Sequence, residues 1–237
     1  MGGAVAQMLA SQGAKVTIFD LNATLGKSGA LEIGGHFALV DVTDEAAVDA
    51  ALSEAEKLHG KARILVNCAG VGPPAKVIGK DGKAQPLAAF SKIISVNLLG
   101  TFNVLSKFAA RLHDAPTLGE ERGVIINTAS VAAFDGQIGQ VAYSASKGGL
   151  VGMTLPLARE FARYGIRVMT IAPGIFLTPL LASLSQEVQD SLGRQVPFPS
   201  RLGQPDEFAL LVQSIIVNPM LNGEVVRLDG AIRMAPK

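Results

Sequence analysis

GVIINTASVAAFDGQIGQVAYSASKGGLVGMTLPLAREFARYGIRVMTIAPG, residues 123–174, decides the fold. The stretch opens on residues 123–130 (GVIINTAS), apolar and β-branched for most of their length. It closes on residues 166–172 (IRVMTIA), a run of the same kind stopped by Pro173 and Gly174. Residues 141–164 between them carry helical periodicity, and Gly165 follows as a helix stop. Strand, long helix and strand in this order form a parallel unit whose helix crosses over one face of the sheet. Strands this apolar must be covered on both faces.

Working outward, further strands are expected at residues 14–20 (AKVTIFD), 37–42 (FALVDV), 63–68 (RILVNC) and 224–229. Helices are expected at 2–12, ended by Gly13, at 44–59 with Thr43 as N-cap, at 87–112 and at 206–217. The alternation predicts an α/β fold, a Rossmann-like doubly wound parallel sheet in a single domain over residues 1–237. Two loops, 71–86 and 113–122, are long for such a domain, where long loops are often functional.

The composition agrees. The chain has 237 residues and a formal charge of +1 from 21 Lys+Arg and 20 Asp+Glu, which gives no footprint for nucleic acid or an anionic surface. One cysteine, Cys68, forms no internal disulfide and fits a reducing compartment. The cytoplasm is the expected location, with the mitochondrial matrix left open. Hydrophobic residues make up 49% and mean hydropathy is +0.35. The longest uncharged apolar stretch, 168–184, is broken by Pro173, Gly174 and Pro179, so no membrane insertion is expected. No charged segment followed by an apolar run opens the chain, so no signal peptide is expected either.

A dinucleotide-binding unit normally begins with a strand and a glycine-rich turn before its first helix. Here the helix comes first, and only Gly2 and Gly3 stand where the turn would be. Asp20 lies 18 residues after Gly2, about where a ribose-binding carboxylate belongs. The expectation is a sheet without its first strand, leaving ladder groups on the two neighbouring strands unpaired. A cofactor-deficient fragment or scaffold of the same fold is the alternative reading that follows.

Chemistry concentrates on three residues. Tyr143 and Lys147 stand four apart on one helix and share a face. Ser130 lies 13 residues before Tyr143, at a strand end. A phenol of pKa about 10 is a poor proton donor and acceptor at neutral pH, and a nearby ammonium is expected to lower it. A serine hydroxyl can hold a carbonyl or alcohol oxygen. Taken singly, each residue has a plain structural reading: Ser130 as a cap, Asn97 as a helix-face residue, Asp20 as a turn residue, Cys68 as a small buried hydrophobe. His36, His59 and His113 are too scattered for a metal site.

Ser130, Tyr143-Ser-Ala-Ser-Lys147, Asn67-Cys-Ala-Gly70, Asn97 and Pro173-Gly174 with Thr178 resemble the short-chain dehydrogenase/reductase family, over essentially the whole chain. Residues 123–134, 196–203 (VPFPSRLG) and 222–234 (NGEVVRLDGAIRM) are similar to its 3-hydroxyacyl-CoA and 17β-hydroxysteroid dehydrogenase subgroup. The resemblance implies an NAD-dependent dehydrogenase of fatty acid metabolism, acting on a secondary alcohol or ketone. A 3-hydroxyacyl-CoA is the first substrate class, with hydroxysteroids or other small alcohols as alternatives.

It further implies Tyr143 as general acid/base, Ser130 as the holder of the substrate oxygen, and Lys147 as the partner of Tyr143 and of the nicotinamide ribose. Asn97 would hold a water relaying protons to Lys147. Gly2, Asp20, Asp41, Val42, Cys68, Ala69, Gly70, Pro173, Gly174, Phe176 and Thr178 would line NAD, with Gln137 and Gln140 on the substrate side. Asp20 itself favours NAD over NADP, because a carboxylate repels a 2′-phosphate and no arginine follows it. Lys76, Lys80 and Lys83 are either solvated or meet coenzyme A phosphates. Gly148, Gly149 and Gly152 suggest close backbone approach on a helix that the resemblance places in a homotetramer interface, with a kink expected at Pro156.

Overall fold

A computed structural model describes residues 1–236; Lys237 and the side chain of Leu180 lie outside the described residues. In chain order the elements are α1 (Gly2–Ser11), β1 (Thr17–Asp20), α2 (Ala23–Glu32), β2 (His36–Leu39), α3 (Glu45–His59) and β3 (Ile64–Asn67). Next come α4 (Leu87–Ile94), a π-helical segment (Ser95–Gly100), α5 (Thr101–Leu112), β4 (Gly123–Thr128), α6 (Val141–Phe161) and β5 (Ile166–Pro173). The chain ends with α7 (Pro179–Ala182), α8 (Gln186–Gly193), α9 (Pro205–Val217) and β6 (Val225–Leu228).

All strand pairings are parallel. Strands β4 and β5 are buried along their whole length, as the apolar runs predict. Their side chains alternate between two cores. Ile125 and Val168 face α5 and α6, among Leu105, Phe108, Leu157 and Phe161. Val124, Ile126, Met169 and Ile171 face α1 and α9, among Val5, Phe208, Val212 and Ile215. This period of two, covered by helices on both sides, is the doubly wound arrangement.

The sheet is interrupted. One part has the order β1-β2 and the other β3-β4-β5-β6. Thus β1 pairs only with β2, and β3 only with β4, among the described residues. The expected gap between these two neighbours is present, and all four residues of β3 are only half-buried where those of β4 are fully so.

Several local expectations change. The N-cap of α3 is Asp44, whose carboxylate accepts from the amides of Ala46 and Ala47 at 2.9 and 3.0 Å. Thr43 instead donates its amide and hydroxyl to Asp41. Helix α6 continues across Pro156, then passes through a 3-10 turn to Gly165, which is left-handed (φ 62°) as its stop role requires. The run Leu87–Leu112, which includes Lys92, Lys107 and Arg111, is long and apolar enough by length and composition to cross a membrane. Its C-terminal half is a core helix: Val104, Leu105, Phe108, Ala109 and Leu112 are buried against the sheet.

A buried arginine ties the far end of α9 to β5. Arg167 donates to the carbonyls of Ile215, Ile216, Asn218 and Leu221 and pairs with Glu121. It supplies the donors that the last turn of a helix lacks.

Candidate active site

Three chain segments converge beyond the C-terminal ends of β3 and β4, the edge where ligands bind in open α/β sheets. They are the strand end 67–72, the residues after β4, and the first turns of α6. Ser130 is extended and begins a 3-10 turn, Val131–Ala133, accepting from the Ala132 amide at 3.1 Å. It is therefore a cap, as its plain reading has it, and it also hydrogen-bonds the Tyr143 hydroxyl. Tyr143 stands in the first turn of α6, beneath Gly72. A Cβ on Gly72 would lie 2.9 Å from the ring, so only glycine lets the chain pass so close.

Lys147 is one turn further on, 4% exposed. Its Nζ donates to the Thr128 carbonyl at 2.7 Å and lies 5.7 Å from the centre of the Tyr143 ring. Burial pulls its pKa down from the ordinary 10.5 to about 8. Burial also pushes the Tyr143 phenol above its ordinary value, opposed by the hydrogen bond with Ser130. The sequence expectation was the reverse, a phenol lowered by the lysine. The difference is physical: both groups are desolvated, and the ammonium is engaged by Thr128.

Asn97 is wholly buried in the π-helical segment, a feature frequent at functional sites. Its Oδ1 accepts from the Val71 amide at 2.8 Å, and its Nδ2 donates to the Val71 carbonyl at 2.8 Å and to Ser146 Oγ at 3.0 Å. Ser146 in turn donates to the Tyr143 carbonyl at 2.7 Å. The side chain thus clamps the loop after Gly70 to α6, with both Nδ2 protons and one lone pair of Oδ1 in use.

Cys68 is half-buried against the α1 and α9 core, receives a long hydrogen bond from Thr128 Oγ1, 3.5 Å, and has its pKa raised by desolvation. Gly2 begins α1 beside it; a Cβ there would lie 3.3 Å from Cys68 Cβ. Ala69 and Gly70 are exposed at the strand end. A Cβ on Gly70 would lie 3.3 Å from Asn97 Oδ1 and 3.5 Å from Lys147 Nζ. The absent side chain leaves a cradle flanked by a carboxamide oxygen and an ammonium, an acceptor and a donor that a hydroxyl can meet.

The residues expected around the adenosine half lie at the ends of β1 and β2. Asp20 is exposed and accepts from the Asn22 amide at 2.8 Å. Asp41 is held below the usual carboxylate range by its hydrogen bonds from Thr43. The Val42 carbonyl accepts from Asn103 Nδ2 at 2.8 Å.

The remaining expected residues have these surroundings. Pro173 ends β5, and Gly174 packs against Asp229, where a Cβ would come within 2.9 Å. Phe176 is 6% exposed, its ring packed on Gly203 and within the α9 core. Thr178 caps α7. Gln140 closes its own loop by accepting from the Gln137 amide at 3.0 Å, while Gln137 Nε2 donates to the Ala235 carbonyl at 2.9 Å. Gly149 meets Leu98 of the π-helical segment, while Gly148 and Gly152 face open space. Lys76, Lys80 and Lys83 are exposed, with Lys83 3.8 Å from Asp81. No cluster of three metal-ligating side chains occurs among the described residues.

Gly72, Thr128 and Ser146 were not singled out in the sequence. Gly72 follows Gly70 at the strand end, which is the one signal that pointed to it. Nothing in the pattern marks a main-chain carbonyl such as that of Thr128.

Comparison with known proteins agrees with this geometry. A family model described as short chain dehydrogenase matches residues 1–189. The chain is 54% identical over 240 residues to 3-hydroxyacyl-CoA dehydrogenase type-2 of Homo sapiens, covering 100% of this chain and 92% of that one. It is 36% identical to the ipsdienol dehydrogenase of Ips pini, covering 98% and 92%. The crystal structure of 3-hydroxyacyl-CoA dehydrogenase type-2 from Mycobacterium avium superimposes with a TM-score of 0.95 at 42% identity, covering 100% of this chain and 93% of that one.

Proposed function

Because the chain belongs to the short-chain dehydrogenases and is an oxidoreductase, we propose that it interconverts a 3-hydroxyacyl-CoA and the 3-ketoacyl-CoA with NAD as the redox partner. The observation that carries this is the Ser130–Tyr143–Lys147 group, brought together at the open edge of the sheet beside the Gly70 cradle.

When bound, the nicotinamide supplies or accepts the hydride. Everything else falls to the chain. Ser130 and Tyr143 are hydrogen-bonded to each other, which supports the reading that the two hydroxyls together hold the substrate oxygen. The raised pKa of Tyr143 keeps its phenol protonated at neutral pH, ready to donate to the oxygen of a ketone. In the alcohol-to-ketone direction the same oxygen must take a proton, so this direction is favoured as pH rises. Lys147, positively charged below about pH 8, presents its ammonium to ribose hydroxyls through the opening beside Gly70. Asn97 and Ser146 hold the loop and helix in register. Asp20 and Asp41 stand at the ends of their strands for the adenosine half, and the Asp20 carboxylate favours a free 2′-hydroxyl.

The names of the relatives support the acyl-CoA substrate, while the ipsdienol dehydrogenase keeps other alcohols in the comparison. A homotetramer is part of the proposal: the open faces at Gly148 and Gly152, with Leu99, Phe102 and Val141 about half exposed, support an interface along α5 and α6. The half-buried lone cysteine supports a reducing compartment, the cytoplasm or the mitochondrial matrix.

The test is NADH oxidation with acetoacetyl-CoA, run beside NADPH and beside a hydroxysteroid/NAD pair. We expect turnover with NADH, at least tenfold less with NADPH, and a loss of about a thousandfold or more in Tyr143→Phe. Equal turnover by wild type and Tyr143→Phe overturns the assignment; preference for the steroid replaces the substrate.

A further inference from the structure

Between Ser130 and Tyr143 the chain runs through residues 131–140, of which only Val131–Ala133 is regular. The placement of one hydroxyl against the other depends on what holds this span. Part of the hold is internal: Asp135 N donates to Val131 O at 2.8 Å, and Gln140 N to Gln137 O at 3.0 Å. The rest comes from the C-terminal segment, residues 227–236.

Arg227, at the end of β6, donates to the Asp135 carboxylate at 2.6 Å through Nη2, and the same nitrogen donates to the Ile232 carbonyl at 2.9 Å. Its guanidinium also lies 5.2 Å over the Phe134 ring and is held from behind by Asp229 at 2.7 Å. Asp135 further accepts from the Met234 backbone. Beyond it, Gln137 Nε2 donates to the Ala235 carbonyl and the Ile138 amide to the Pro236 carbonyl, at 2.9 and 3.0 Å. The segment is itself rooted: Ile232 is 2% exposed, and Asp229 packs on Gly174. Asp135 and Arg227 are each about four-fifths buried, so this is a desolvated charge-assisted contact and not a loose surface pair.

We infer that residues 227–236 form a clamp on the loop linking the two reacting hydroxyls, and that Asp135 is the positioning residue through which it acts. This rests on the proposed function for its catalytic consequence and on the contacts alone for its structural one. Asp135 touches no reacting atom; it fixes the point at which the chain turns back toward α6. A displacement of Ser130 from Tyr143 by a fraction of an ångström to 1 Å is the kind that lowers rates by ten- to a hundredfold.

The experiment compares wild type with Asp135→Ala, Asp135→Asn and Gln137→Ala, by amide hydrogen exchange, melting temperature, NADH affinity, and kcat and KM for acetoacetyl-CoA. Asp135→Ala should speed exchange in residues 131–140 about tenfold or more and leave residues 64–70 as in wild type. Its kcat should fall about tenfold while its Kd for NADH stays within about twofold. Asp135→Asn, which keeps an acceptor oxygen, should recover part of both effects, and Gln137→Ala should show a smaller version. Unchanged exchange in 131–140, or faster exchange with kcat intact, overturns the clamp. So does a general loss of melting temperature with exchange raised everywhere, which marks a purely structural role. If wild type turns over none of the substrates, the functional proposal fails and exchange alone decides the clamp.

Discussion

Replacing Lys147 by methionine should inactivate the enzyme and make it more stable. The ammonium is 4% exposed and meets a single carbonyl, that of Thr128. Burial moves its pKa from 10.5 to about 8. At roughly 1.4 kcal/mol per unit this shift corresponds to about 3 kcal/mol, borne by the folded state at every pH below about 8. Between about pH 8 and 10.5 the unfolded chain still holds a proton that the native lysine has released, so stability rises with pH across that window. Above it the penalty is gone. Methionine keeps an unbranched stem and carries no charge. Its loss is the hydrogen bond to Thr128, about 1–2 kcal/mol. The net gain at pH 7 is therefore about 1–2 kcal/mol, or roughly 2–8 °C in Tm for a chain of this size. Scanning calorimetry of both proteins at pH 7 and about pH 9.5, with turnover measured in parallel, makes the check. The advantage of the variant should narrow at the higher pH. A variant that melts below wild type at pH 7, or a difference indifferent to pH, refutes the claim that burial of this charge is costly.

Two other changes read different parts of the structure. Arg167→Met removes the donors to four main-chain carbonyls at the end of α9 and strands the Glu121 carboxylate. It should cost about 3–5 kcal/mol and about 10 °C in Tm, with turnover per folded molecule preserved; a loss under about 3 °C in calorimetry contradicts the capping role. Gly70→Ala places a methyl between Asn97 Oδ1 and Lys147 Nζ. By fluorescence titration NADH should bind about tenfold more weakly, with Tm nearly unchanged, and undiminished affinity would show that the cofactor does not use this opening.

The central unit was legible because its two strands are apolar on both alternating faces, a pattern that few other arrangements produce. The Tyr143–Lys147 pair was legible because helix geometry converts a spacing of four into one face. Helix α2 escaped notice: its sequence, ATLGKSGALE, has two glycines and little amphipathic contrast. One of those glycines answers to packing, since a Cβ on Gly26 would strike the Phe37 ring at 2.1 Å. The cap of α3 fell one residue from its expected place because Thr43 and Asp44 are both good caps, and the Asp41 carboxylate claims Thr43. The bond of Gln137 to the C-terminal segment was not legible, because its partner lies 98 residues away, at the far end of the chain. The direction of the Tyr143 shift was hidden for another reason. Sequence shows which charge stands nearby, but it does not show how much water the fold removes.

The π-helical segment Ser95–Gly100 has a consequence for which lengths of chain this region tolerates. Its wider winding accommodates about one residue more than an ordinary helix of the same rise. Each residue of an α-helix turns it by about 100°, so α4 and α5 are out of phase by roughly that angle. This phase shift lets Ile93, Val104, Leu105 and Phe108 all face the interior while Asn97 reaches Val71 and Ser146. A single-residue deletion here would restore a regular helix and rotate one set of side chains off its surface. Asn97 would leave the site, or the apolar row of α5 would turn to water. This stretch should therefore tolerate substitution far better than any change in its length, whereas the exposed turn around Gly82 has no such phase to keep.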